Sequence, residues 1–162
     1  MPVCPLGVDI PGFIRFLRES DAVSALERIK KDNPFPSICG RICSAPCEPA
    51  CVFSEDHSAI SIRALERYAA DNGYKPSTKS KTIIQFNGKK VAIIGSGPSA
   101  MMAAHQLLQK KIKVEIFEAA DQLGGLLRYG IPEFRLPKEI IDEEYAQLQA
   151  MGLDIHTNVF IG

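Results

Sequence analysis

Four cysteines recur at every fourth position of "ICGRICSAPCEPACVF", as Cys39, Cys43, Cys47 and Cys51, and a fifth, Cys4, stands near the start. Five is an odd number, awkward for a closed set of disulfides, so metal binding leads. Pro46 and Pro49 argue against one continuous helix through the run and for turns that wrap around something. An iron–sulfur cluster takes several thiolates, often from a compact run plus a distant residue. Zinc sites usually show closer pairs. A third reading is that these thiols are small buried apolar groups. Four cysteines within thirteen residues favour ligation over simple burial.

A second constellation is Gly95-Ser96-Gly97-Pro98-Ser99-Ala100. It follows a short apolar run and opens a helical pattern, which is the context a dinucleotide fingerprint requires. Gly95 permits the tight turn, Gly97 lets the backbone approach a pyrophosphate, and Ala100 is small enough for close helix–strand packing. Pro98 suits the first helical position, and the free N–H groups there attract phosphate. Glu118 closes the next apolar run, 23 residues after Gly95, where a carboxylate can accept hydrogen bonds from a ribose. Gly124 and Gly125 follow, as a second close backbone approach or as an ordinary glycine turn.

The elements that must carry these groups change character along the chain. Up to about residue 72 the pattern is helical. Asp9 and Pro11 mark one helix start, Ser20 or Asp21 a second, and "NPFP" at 33–36 ends that second helix. A third helix is expected from about Ser58 to Asn72, stopping at Gly73. "GYKPSTKSK", residues 73–81, has almost nothing to bury and reads as a linker. Beyond it "KKVAIIG", "MMAAHQLLQKK" and "KVEIFEA" form a β-α-β unit, implying a parallel sheet. "LPKEIIDEEYAQLQAMG" reads as a further helix and "LDIHTNVFIG" as a further strand.

Composition narrows the partners. The 162 residues are 46% apolar and carry zero net charge, so nothing points to nucleic acid or to a charged membrane surface. No apolar run approaches the roughly 18 residues of a membrane span. "MPVCPLGVDIPG" lacks the regions of a signal peptide, which points to the cytoplasm, where thiols stay reduced.

The segments "CPLGVDIPGFI", "NPFPSICGRICSAPCEPAC", "ISIRALERY", "VAIIGSGPSA" and "FEAADQLGGLLRYGIPEFRLPKEI" occur in this order. Together they resemble the family of the glutamate synthase small (beta) subunit and the N-terminal region of dihydropyrimidine dehydrogenase, over essentially the whole chain. The resemblance implies an α + α/β architecture. An N-terminal α-helical ferredoxin-like domain over 1–76 and a linker over 77–88 precede the first part of a Rossmann-like FAD-binding domain with a parallel sheet, over 89–162. It implies FAD and two 4Fe-4S clusters as cofactors, with NADP(H) used by the longer protein. Hydride would pass from NAD(P)H to FAD, and electrons singly through the clusters to a partner subunit or domain. The same module occurs in electron-bifurcating and sulfide-dehydrogenase-like enzymes, so the final acceptor varies.

Carried over position by position, the resemblance makes Cys4, Cys43 and Cys47 ligands of one cluster, with Glu66 where a relative has a glutamine ligand. Cys43 and Cys47 enclose three residues where those relatives have more. Cys51 resembles the last ligand of the other cluster, and Cys39 matches a family cysteine that is not a ligand. The remaining ligands of the Cys51 cluster would lie upstream of Met1, so the chain is expected to be part of a protein extended at both ends. For FAD, Gly95, Ser96, Gly97, Pro98 and Ser99 would form the pyrophosphate turn. Glu118 would meet the adenosine ribose, and Gly124, Gly125 and Leu126 the cofactor's middle. Arg135 matches a flavin-contacting arginine and Ile161 a residue that reaches FAD through its backbone; Arg128 lies in the same loop as Arg135. His57, His105 and His156 fall on no catalytic position of the family and read as structural or exposed.

Three classes of function stand. One is an NAD(P)H-dependent iron–sulfur flavoprotein, or a piece of one. Another is a zinc-stabilised dinucleotide-binding module. The third is an interaction domain without redox activity. Clusters and flavin absorb in the visible; zinc and an empty fold do not.

Overall fold

The computed structural model describes residues 3–54, 58–74 and 85–162, which fall into two compact units on either side of residues 77 and 78. Most of the expected linker, and His57, lie outside the described residues.

The first unit is helical, and none of its described residues forms a strand. α1 (Ile10–Arg18) and α2 (Ala22–Lys30) each start on an aspartate cap. Asp9 accepts the Gly12 N–H at 3.0 Å and Asp21 the Ser24 N–H at 2.9 Å. Such caps satisfy donors that the first helical turn leaves unpaired. Ser20, the other expected cap, instead takes a positive φ in the turn between the two helices. Asp9 also pairs with Arg28, which ties the start of α1 to α2. Phe13, Ala25, Ile29, Ile62 and Ala69 form the core, and Cys47 packs against it.

Two helix readings need correction here. The cysteine run does not begin as turns: α3 (Pro36–Ile42) carries Cys39. "NPFP" thus ends one helix and starts the next. Pro36 sits in the first turn, where its missing N–H costs nothing, and the Asn33 side chain accepts the Phe35 N–H at 3.1 Å. The last helix of the unit, α4 (Ile62–Gly73), starts at Ile62 rather than near Ser58. α3 packs closely on α4: a Cβ on Gly40 would stand 2.7 Å from the Arg67 backbone nitrogen. The Arg41 guanidinium crosses between them to both oxygens of Asp71, at 2.8 and 3.1 Å.

The second unit is a three-stranded parallel sheet in the order β1 (Lys90–Ile94), β2 (Lys113–Phe117), β3 (Leu153–His156). α5 (Pro98–Gln109) connects β1 to β2. A short α6 (Leu126–Tyr129) and a longer α7 (Lys138–Ala150) lie between β2 and β3. Val114 and Ile116 of the central strand are fully buried, in one core with Met101, Ala104, Ile141 and Leu148. β3 is shorter than the apolar run suggests. Asn158 takes a positive φ, and the chain then runs beside the loop after β2, with the Val159 N–H on the Glu118 carbonyl at 2.9 Å. Among the described residues no helix is long and apolar enough to cross a membrane.

Candidate functional site

The helical unit gathers thiols from distant segments. Cys4, Cys39, Cys43, Cys47 and Glu66 all line one cavity of about 130 Å³, walled by Val8, Ile10, Phe13 and Ile62. Cys4 and Cys47 also line a neighbouring apolar cavity of about 560 Å³, and that is the cavity Cys51 faces. The fold therefore separates Cys51 from Cys43 and Glu66, although all come from one stretch of 24 residues. All five cysteines are reduced thiols.

Side chains outside the motif hold the loop in place. The Glu48 carboxylate accepts the Arg63 N–H at 2.9 Å, at the start of α4, and the Arg63 guanidinium donates to the Cys43 carbonyl at 2.8 Å. The Cys43 sulfur accepts the Ala45 N–H at 3.3 Å, the type of bond that tunes a cluster sulfur. Burial pushes the Cys47 thiol up, its own backbone N–H works against this, and the nearby Cys4 and Cys43 push it further up. Bound metal would supply the positive charge that lets such a thiol ionise. Burial also pushes the Glu66 carboxyl up, while a 2.7 Å hydrogen bond from Asn33 acts the other way. Neither Asn33, Glu48 nor Arg63 stands out in the sequence, because each acts by where the fold puts it.

This donor set suits a cluster better than a single ion. Zinc draws its ligands to within about 2.0–2.3 Å of one point. Among the described residues no group of three or more His, Cys, Asp or Glu side chains is placed to hold a single ion. A cubane spreads its ligands over four irons, so thiols around a cavity wall fit it.

The second unit builds a cradle where β1 and β2 end. Gly95 turns at φ +90° and hands the chain to α5, whose first-turn N–H groups have no capping side chain. A Cβ on Gly97 would project into open space, so no contact within the chain demands its absence, and the room it leaves lies beside those N–H groups. Gly125 is different. At φ +50°, an added Cβ would come within 3.0 Å of the Gly97 Cα, so the two glycine turns lie against each other.

Ser96 joins these parts. Its N–H and hydroxyl both donate to Glu118, at 2.8 and 2.5 Å, and its hydroxyl accepts the Gly124 N–H at 3.0 Å. Its carbonyl accepts the Tyr145 hydroxyl of α7 at 2.5 Å. Ser96 is 1% exposed, so its own contribution is to lock the turn. Burial works to raise the Glu118 carboxyl, but hydrogen bonds from Ala120, Ser96 and Ala119 outweigh it and hold the group below its ordinary range. An anionic acceptor at this point can accept hydrogen bonds from the hydroxyls of a ribose.

Leu126 follows Gly125 directly and is 76% exposed. Arg135 and Ile161 are exposed too, with the Arg135 N–H on the Pro132 carbonyl. Arg128 is held by Asp142, Gln122 and, at 2.5 Å, the Leu123 carbonyl, so it braces the loop around Gly124. Tyr145 gave no signal as a site residue, since it is one of several apolar positions on a helix face. His156 stacks on Phe117 with ring centres 4.8 Å apart, and His105 bonds Gln109, both structural contacts.

Comparison with known proteins gives the same division. Residues 1–78 match the family model described as dihydropyrimidine dehydrogenase domain II, 4Fe-4S cluster. Residues 93–139 match the NAD(P)-binding Rossmann-like domain. The chain is 41% identical over 175 residues to the glutamate synthase [NADPH] small chain of Bacillus subtilis, covering 99% of this chain and 36% of that one. It is 37% identical over 160 residues to the small chain of Mycobacterium tuberculosis, covering 98% and 33%. A beta subunit of an NADP(+)-dependent formate dehydrogenase from Moorella thermoacetica is 33% identical, with 98% of this chain and 26% of that one covered. The chain thus spans about a third of the length of the small chains it matches. Motif order, a thiol cavity in a helical unit and a glycine cradle in a parallel-sheet unit converge with these matches: the chain is similar over 98–99% of its length to glutamate synthase small chains, and its residues 1–78 to dihydropyrimidine dehydrogenase domain II.

Proposed function

We propose that this chain is the part of an NAD(P)H-dependent iron–sulfur flavoprotein oxidoreductase, glutamate synthase small subunit-like, that carries a 4Fe-4S cluster and one end of FAD. In this reading residues 1–76 are the cluster domain, 77–88 the linker and 89–162 the start of the FAD-binding domain. One observation carries it: Cys4, Cys43, Cys47 and Glu66, drawn from three separate segments, meet on one cavity wall.

Cys4, Cys43, Cys47 and Glu66 would hold the cluster, and Cys51 would serve a second cluster with ligands from outside this chain. The first turn of α5 would take the FAD pyrophosphate and Glu118 the ribose. Gly124, Gly125 and Leu126 would lie along the middle of the cofactor, with Arg135 and Ile161 toward the flavin. Bound there, the flavin would supply the change from two-electron to one-electron transfer and the cluster the one-electron path. The chain's own groups would bind and orient: Glu118 as a fixed anion, Ser96 as the lock between the turns, and the apolar cavity wall as a shield against water. An electron-accepting partner, glutamate synthase large subunit-like or another, would complete the reaction, in the cytoplasm where thiols stay reduced.

Anaerobic reconstitution with ferrous iron, sulfide and FAD tests this, followed by an absorption spectrum and iron and flavin analysis. The expected result is a brown chain with close to four irons per molecule for the Cys4 site. A colourless chain that takes up one zinc instead would overturn the reading in favour of a zinc-stabilised module.

A further inference from the structure

Five donors face a cavity whose cluster needs four. Cys39 lines it together with Cys4, Cys43, Cys47 and Glu66. What separates Cys39 from Glu66 is Asn33, which is 2% exposed on the loop between α2 and α3 and lines the same cavity. Its Nδ2 donates to Glu66 Oε1 at 2.7 Å, and its Oδ1 accepts the Phe35 N–H at 3.1 Å and the Cys39 thiol at 3.6 Å. The orientation of the amide is fixed by its neighbours. A backbone N–H can only donate, so Oδ1 must face Phe35 and Nδ2 must face the carboxylate.

We propose that Asn33 selects the fourth ligand, presenting the Glu66 carboxylate to the cluster while its other end keeps the Cys39 sulfur engaged. This rests on the ligand assignment made above and goes one step further. A hydrogen bond on Oε1 leaves Oε2 as the oxygen offered to iron, which suits a ligand bound through one atom. The thiol on the opposite side of the same amide is tied to Oδ1 by its S–H, and a sulfur that shares its proton with an amide is not shared with iron. Asn33 is a positioning residue: it acts through Glu66 and Cys39. Partners of this type, one bond removed from the metal, typically change metal affinity by about 10–100-fold when removed.

The test uses the chain reconstituted anaerobically with ferrous iron and sulfide. Iron per chain and thiolate-to-iron absorption are read in the parent, Asn33→Ala and Asn33→Asp backgrounds, each combined with Cys39→Ala or Glu66→Ala. In the parent, Glu66→Ala should lower iron retention and Cys39→Ala should not. In Asn33→Ala the dependence should exchange: Cys39→Ala now removes the remaining iron, Glu66→Ala adds little, and thiolate absorption per cluster rises. Asn33→Asp keeps the acceptor for Phe35 and Cys39 but loses the donor to Glu66. It should lose iron as Glu66→Ala does, with no effect of Cys39→Ala, and as a near-isostere it guards against a misfolded alanine variant. If Cys39→Ala and Glu66→Ala have the same effects in all three backgrounds while the cluster is present, Asn33 is only structural and the proposal falls. If Cys43→Ala leaves the parent's iron intact, the ligand assignment itself falls and takes this proposal with it.

Discussion

The two units place a carboxylate at the centre of each site and treat it in opposite ways. Glu66 in the helical unit is half-buried, accepts a hydrogen bond from Asn33, and is pushed by burial toward its neutral form. Glu118 in the sheet unit collects N–H and O–H donors from Ser96 and Ala120 and is held ionised. The difference follows from how each site is assembled. The glycine cradle lies where two neighbouring parallel strands end, so backbone N–H groups already point at the carboxylate. The thiol cavity is built from segments as much as 62 residues apart, and buried side chains must supply its order. An anion supplied with several donors is ready for a neutral ligand with hydroxyls; a carboxyl pushed toward its neutral form gains its charge when a cation arrives.

The sharpest way to break the comparison is to remove a ligand from one unit and watch the other. Cys43→Ala should abolish the iron bound at the Cys4 site, since an exposed iron corner makes a cluster labile, while FAD affinity in the sheet unit stays unchanged. Iron analysis beside a flavin titration reads both. Joint loss of iron and flavin binding would show that the two sites do not act independently.

Glu118→Ala is the counterpart in the sheet unit. It should weaken FAD binding by about 1.5–3 kcal/mol, the worth of hydrogen bonds to a charged group, roughly 10–150-fold in Kd by titration. The same residue sets an acid limb. Because its folded pKa lies below the unfolded value, its contribution to stability is fully present above the ordinary carboxylate range, near pH 4–5, and is lost as pH falls through the lowered value. Thermal melts from pH 7 to 3 should therefore show a steeper acid decline in the parent than in Glu118→Gln. Parallel curves would remove Glu118 from the ionised network.

How much of this was legible in the residues follows the same divide. The β-α-β unit, the turn at Gly95 and the acidic strand end at Glu118 are all local, with spacing set by one strand and one helix, so they could be read directly. In the helical unit the caps at Asp9 and Asp21 were legible for the same reason. α3 was not, because a proline that stops one helix and a proline that starts the next carry the same letter; only the Asn33 bond to the Phe35 N–H tells them apart. The grouping of Cys4 with Cys43, Cys47 and Glu66 came from resemblance, since no periodicity connects residues that distant. Asn33, Arg63, Glu48 and Tyr145 carried no signal, being polar or aromatic positions whose partners lie elsewhere in the chain.

Paired glycine substitutions sharpen the contrast at smaller cost. Gly40→Ala puts a methyl against the α4 backbone, 2.7 Å from the Arg67 nitrogen, and should destabilise the helical unit by about 1–3 kcal/mol. Gly125→Ala meets the Gly97 Cα at 3.0 Å and also forces a side chain to φ +50°, ψ −128°, which adds about 1–3 kcal/mol. The first should lower iron retention without touching FAD affinity, and the second should do the reverse. Identical profiles for the two variants would mean that neither glycine is specific to its site.

The smallest expected effect lies at Tyr145. Its hydroxyl is buried, donates to the Ser96 carbonyl at 2.5 Å, and is pushed well above its ordinary range by burial and by the nearby Glu118 charge, with the Ser96 side chain opposing. The hydroxyl therefore stays protonated throughout the working pH range and keeps its proton for the Ser96 carbonyl. Tyr145→Phe keeps the ring in the core and removes that donor, leaving the Ser96 carbonyl one partner short. The cost should be about 1 kcal/mol, the net worth of one neutral hydrogen bond, or roughly fivefold in FAD affinity if the bond steadies the turn. In a Glu118→Ala background the same change should cost less, because the turn it steadies no longer presents the carboxylate. Equal costs in both backgrounds would make Tyr145 a core residue with no part in shaping the cradle.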